Sequence, residues 1–173
     1  DTIEIGGAFD GFDVFTRDDT LSAKLTLYQT IISDGRTYAR PRSLGGGFYS
    51  DIELEGIELE ASYVHPQFYV DFAAAANRGR VTGISDGTSV DQFFNQSTAD
   101  NVELTVGKRF LDEQRDVFVT IDHSFENDRT EATDGPTAPS DAYTLFDLGV
   151  GYTPDSGPLA GVEMRASFDN ILN

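Results

Sequence analysis

What most narrows the folds open to this chain is the period of its apolar residues, which is two rather than the about 3.6 of a helix. Val162, Met164, Ala166 and Phe168 alternate with Glu163, Arg165, Ser167 and Asp169, so that stretch has one apolar and one charged face. Upstream, Val102, Leu104 and Val106 alternate with Glu103, Thr105 and Gly107, and Val117, Val119 and Ile121 with Phe118, Thr120 and Asp122. Phe68, Val70, Phe72, Ala74 and Ala76 continue the same rule over nine residues. The pattern predicts an all-β chain of about eight long strands, near residues 2–16, 21–33, 48–63, 68–79, 101–111, 116–127, 142–153 and 161–172.

Between Ile52 and Tyr63 the apolar set changes parity at Gly56, from Ile52 and Leu54 to Ile57, Leu59, Ala61 and Tyr63. A glycine at a parity change predicts a β-bulge at or beside Gly56. The connections alternate in length. Arg17 to Thr20, Val64 to Gln67, Leu111 to Arg115 and Pro154 to Ala160 are short, while Asp34 to Gly47, Arg80 to Asp100 and Asn127 to Asp141 are long. Short turns at one end and long loops at the other are the habit of membrane β-barrels.

Composition excludes several classes. The chain has 30 acidic and 12 basic residues, for a formal net charge of -18. That argues against nucleic acid, whose phosphates need clustered Lys and Arg. With no cysteine there is neither a disulfide framework nor a thiolate metal site. No run approaches the ~20 apolar residues of a membrane-spanning helix, so a membrane location would require strands. At 39 % hydrophobic and 12 % aromatic residues the chain is too apolar for a solvated, disordered acidic polymer.

Two other all-β arrangements fit the alternation. A soluble β-sandwich would cover the apolar face with a second sheet, but strands of a dozen residues exceed the usual globular five or six. Eight strands can also close as a small outer-membrane barrel, although Asp169-Asn170-Ile171-Leu172-Asn173 is a poor membrane-interface ending. In either case the long loops would serve as a binding or adhesion surface.

The order of the motifs carries a resemblance. Tyr143-Thr-Leu-Phe-Asp-Leu-Gly-Val-Gly-Tyr-Thr-Pro154 followed by Gly161-Val-Glu-Met-Arg-Ala-Ser-Phe-Asp-Asn-Ile-Leu-Asn173 resembles the penultimate hairpin of TonB-dependent receptors. Ile57-Glu58-Leu59-Glu60-Ala61 after Gly56, and Val106-Gly-Lys-Arg-Phe-Leu-Asp112, resemble earlier strands of the same family. Leu25-Thr26-Leu27 leading into an Ile32-Ser33-Asp34 turn is similar to the haem and haemoglobin uptake branch, although siderophore receptors share most of these features.

The resemblance implies residues 1–173 as the C-terminal portion of a transmembrane antiparallel barrel of about 22 strands. It implies a bacterial outer-membrane location, with lipid and lipopolysaccharide around the wall. It further implies import of an iron compound, haem in preference to a ferric siderophore, delivered free or by a carrier protein. Energy would come from the TonB complex through an N-terminal part. The sequence departs from a whole receptor in having no plug domain, no TonB box and no closing strand with a terminal aromatic, so a portion of a receptor is expected.

Candidate ligand-binding residues are few. Arg36, Tyr38, Arg40 and Arg42 alternate in the first long loop as the densest basic and aromatic group, and Arg forks pair with carboxylates such as those of haem. The plainer reading is a loop whose arginines offset nearby acids or touch lipopolysaccharide phosphates. His123 and His65 are the only histidines able to ligate haem iron. His65 lies in a short turn, and His123 near a strand end, where an interface role competes with ligation. No metal site is expected, since Asp86-Gly87 and Asp134-Gly135 lack calcium-loop spacing. No catalytic residue is assigned. Ser124 follows His123 without a placed acid or an oxyanion motif, leaving only a Ser-His pair across strands as a route to hydrolysis, so the chain is not expected to be an enzyme.

Overall fold

The computed structural model describes residues 1–37, 48–84, 91–93, 99–110, 114–126 and 141–172. They form one antiparallel sheet: β1 (Thr2–Phe12), β2 (Thr20–Thr37), β3 (Phe48–His65), β4 (Phe68–Ile84), β5 (Asp91–Phe93), β6 (Asn101–Phe110), β7 (Arg115–Ser124), β8 (Tyr143–Tyr152) and β9 (Met164–Phe168). Neighbours run β1-β2-β3-β4-β6-β7-β8-β9. The short β5 takes the edge of β4 at Arg80–Thr82, beyond the stretch Phe68–Ala75 that pairs with β6.

The all-β expectation holds, and most strand positions fall where the alternation put them. Closure does not follow: β1 and β9 lie at opposite ends of the strand order, and no ladder joins them among the described residues. Nor does a second sheet cover the first there. Three bounds move. β1 stops at Phe12, because residues 13–19 build a turn of their own, β9 is only five residues long, and β2 to β4 run on for 17 or 18 residues each. Two loops expected to be irregular are therefore partly strand.

No bulge occurs at Gly56. The ladders pass through it in register, with Tyr28 opposite it on one side and Asn77 on the other. The register shifts lie between Ile32 and Gly35 and between Ser50 and Asp51 instead. Asp34, at a φ of 57°, sits in the first of them, so Ile32-Ser33-Asp34 makes an irregularity within β2 and not a turn. The parity change at Gly56 has another cause. Beyond it, the face that carried Ile57, Leu59 and Ala61 carries Glu53 and Glu55, opposite Arg80 and Arg78. The chemistry of the face changes along an unbroken strand.

Register then places every strand's side chains. One face collects Ile3, Ile5 and Phe9 of β1, Leu25 and Leu27 of β2, Ile57 and Leu59 of β3, Val70 and Phe72 of β4, Leu104 and Val106 of β6, Val117 and Val119 of β7, Leu148 and Val150 of β8, and Phe168 of β9. Most of these are open: Ile5 is 69 % exposed and Phe168 71 %. Among the described residues the only buried hydrophobic side chains are Ile52 and Tyr69, and both belong to the opposite face. Among the described residues the sheet has no hydrophobic core of the usual kind, in which apolar faces meet.

Candidate functional site

The polar face is built from the alternate residues of the same strands. One cross-strand row reads Lys24, Glu60, Ala73, Glu103 and Asp122, and the next Ser22, Ser62, Asp71, Thr105, Thr120 and Asp147. Ser62 Oγ donates to Asp71 Oδ1 at 2.6 Å, and the Thr105 and Thr120 hydroxyls lie 2.8 Å apart. Glu103 stands directly opposite Asp122, a like-charge pairing that costs stability in water. On this face Glu4, Asp10, Glu58, Glu60, Asp71, Glu103, Asp116, Asp122 and Asp147 outnumber Lys24, Arg109 and Arg165.

Toward the end with short turns the polar face becomes packed. Tyr69 of β4 is opposite Gly107 of β6, and because glycine has no Cβ its ring lies across that strand; a Cβ there would overlap the ring. The Tyr69 hydroxyl thereby reaches β7 and donates to Asp116 Oδ2 at 2.7 Å. The guanidinium of Arg109 sits 5.3 Å from the centre of the Tyr69 ring, and that of Arg165 5.4 Å from the Phe118 ring. Phe118 lies over Gly149, and Tyr28 over Gly56, by the same device. Each aromatic leans across its opposing glycine, as aromatic side chains do to shield strand glycines. This explains Gly56 without any bulge.

The first turn is organised by Asp19, which is 1 % exposed. Its carboxylate accepts from the backbone N–H of Val14 at 2.6 Å, Phe15 at 3.1 Å and Thr16 at 2.6 Å, from the Thr16 hydroxyl at 3.0 Å, and from the Tyr63 hydroxyl at 2.9 Å. Burial raises its pKa, but the Thr16 N–H, the Tyr63 hydroxyl, the Val14 N–H and the Thr16 hydroxyl outweigh it and hold the group at about 2. Asp13 and Asp18 take left-handed conformations, with φ of 53° and 65°, so the chain can wrap around this anchor. The sequence offered several acids here and no means of choosing among them.

The residues singled out as ligand contacts are not gathered into one place. Arg36 lies in β2 with its backbone opposite Tyr49, while Tyr38, Arg40 and Arg42 are outside the described residues. His123 is in β7, three strands from β2's neighbour β3 in the sheet order, and it is on the apolar face, opposite Val102 and Thr144. Its Nδ1 is 2.8 Å from Thr144 Oγ1 and its ring meets Phe125 edge-on at 4.5 Å. His65 is stacked on Phe68 at 4.9 Å, and its Nδ1 accepts from the Gln67 N–H. Among the described residues no three His, Asp or Glu side chains converge as metal ligands.

No family model matches the chain, and no curated protein matches it.

Proposed function

We propose that this chain forms part of the wall of a transmembrane β-barrel in a bacterial outer membrane, within a TonB-dependent receptor that imports an iron compound. The observation that carries the reading is the continuous exposed apolar surface made by alternate residues of eight neighbouring strands. Lipid is the solvent such a surface suits, whereas in water a patch of this extent drives association. On β4 the apolar run from Phe68 to Ala76 is nine residues long, or roughly 27 Å along the strand, near the 9–11 tilted residues that cross a bilayer. Aromatic Tyr63, Phe68 and Tyr152 border it at the turn end, and Glu53, Glu55, Arg78 and Arg80 at the loop end.

The polar face then looks into the lumen, where charge is tolerated. Among the described residues the outer edges of β1 and β9 have no strand partner, which supports a wall that continues on both sides into a larger barrel. The receptor assignment and the preference for haem over a ferric siderophore rest on the ordered sequence motifs. Transport is the activity proposed, on the strength of those motifs and the exposed apolar face.

The chain contains no cysteine, so single labels report cleanly. Nitroxides placed through Val119→Cys and Thr120→Cys in the intact protein, reconstituted in vesicles, should show opposite accessibilities. Val119 is expected to meet dissolved oxygen and Thr120 a water-soluble nickel complex. Equal access to water at both positions would end the membrane reading. Growth of cells on haem or on a ferric hydroxamate as sole iron source, with and without a working TonB complex, tests transport. Growth on neither, or growth independent of TonB, would remove the receptor assignment, and growth on the hydroxamate alone would replace haem as cargo.

A further inference from the structure

The two rims of the apolar face differ in charge. At the loop end, Glu53 and Glu55 oppose Arg80 and Arg78 directly across β3 and β4, and Asp51 opposite Thr82 adds a further acid to the same face. At the turn end the face carries Lys108, opposite Phe68 and Val117, and Arg115, opposite Phe110 and Tyr152. Both cations are exposed, no carboxylate shares the apolar face of the strands at that end, and neither cation is ion-paired among the described residues. The Arg115 guanidinium lies 5.8 Å from the centre of the Tyr152 ring. In a chain of net charge -18, a rim whose strands present cations and aromatics among the described residues, with the Asp19 carboxylate at that end taken up by its own turn and by Tyr63, is a local exception.

We infer that this turn-end rim binds the headgroups of anionic phospholipids, Lys108 and Arg115 taking the phosphates while Phe68 and Tyr152 sit at headgroup depth. The inference rests on the membrane reading. Charge complementarity selects the occupant: the rim continues an apolar band suited to acyl chains, aromatic rings favour the interface, and exposed Lys and Arg there attract anionic lipid. Planar guanidinium also pairs with phosphate oxygens in a fixed geometry. The loop-end rim, where Asp51, Glu53 and Glu55 accompany Arg78 and Arg80, offers no comparable attraction.

The test is the association of spin-labelled phosphatidylglycerol, relative to spin-labelled phosphatidylcholine, with the intact protein in bilayers of phosphatidylcholine. Preference for the anionic lipid is expected, with Lys108 and Arg115 contributing about fivefold each at low salt. Lys108→Gln with Arg115→Gln should bring the preference to parity, and Lys108→Arg with Arg115→Lys should retain it. Arg78→Gln with Arg80→Gln at the other rim should leave it unchanged. An inserted wild type with no preference, a preference that survives the first double variant, or an equal loss from the Arg78 and Arg80 pair would overturn the headgroup assignment alone. A wild type that does not enter the bilayer overturns the membrane reading, and the headgroup assignment with it.

Discussion

On the apolar face Ile5 and Phe168 are 69 % and 71 % exposed, whereas on the polar face Ile52 and Tyr69 are 5 % and 7 % exposed. A soluble sheet distributes burial the other way, with apolar residues covered and polar ones open. The difference comes from what each face has to pack against. Side chains of the polar face find partners within the sheet, reaching over glycines to a carboxylate or a neighbouring strand, as Tyr69 does over Gly107 to Asp116. Among the described residues no second layer covers the aliphatic side chains of the apolar face, and most of them stay exposed.

A charge should separate the two faces most. Val119→Lys is expected to lower folding stability of the intact protein in vesicles by about 2–4 kcal/mol, against about 1 kcal/mol for Thr120→Lys beside it, which gives up the hydroxyl pair with Thr105. Urea titration measures both, and equal losses would erase the contrast. Next is the packing within the polar face. Gly107→Val forces a side chain into the space of the Tyr69 ring and should cost about 1–3 kcal/mol. In a Tyr69→Ala background the same change should cost clearly less, and strict additivity would show that the ring does not lie over the glycine.

Tyr69→Phe removes the donor to Asp116 and leaves the ring in place. A loss of about 1.5 kcal/mol is expected, and it should vanish when Asp116→Ala is already present. The gentlest test is acid. Because the folded Asp19 carboxyl is held at about 2, below its ordinary 3.8, its stabilising contribution is complete above pH 3.8 and fades as pH falls through about 2. Neutral-pH stability is untouched by this titration. Asp19→Asn should remove that share of the low-pH slope, and an unchanged slope would mean that the turn does not depend on the ionised group.

Much of this was legible in the residues. Alternation located β6 and β8 within one residue and β7 within three, and parity alone puts His123 with Val117, Val119 and Ile121 on the apolar face. The Asp19 anchor was not legible, because Asp13, Asp18 and Asp19 look alike in sequence and only the return of the chain against Tyr63 of β3 selects one of them. Gly56 misleads for a related reason. A parity change has two causes, an inserted residue or a strand that passes from one surrounding to another, and local sequence looks the same for both.

The sequence by itself determined the all-β class, the two unlike faces and the acidity of one of them, because side chains of a strand alternate whatever its partners are. It also located the two tightest connections, at 66–67 and 111–114, though not the length of 153–163. Only the tertiary structure decided that the sheet stays open among the described residues, that Tyr69 lies across Gly107 to meet Asp116, and that Lys108 and Arg115 share a rim. These depend on register between strands distant in sequence, and register is settled by the pairing of whole ladders, which no single segment encodes.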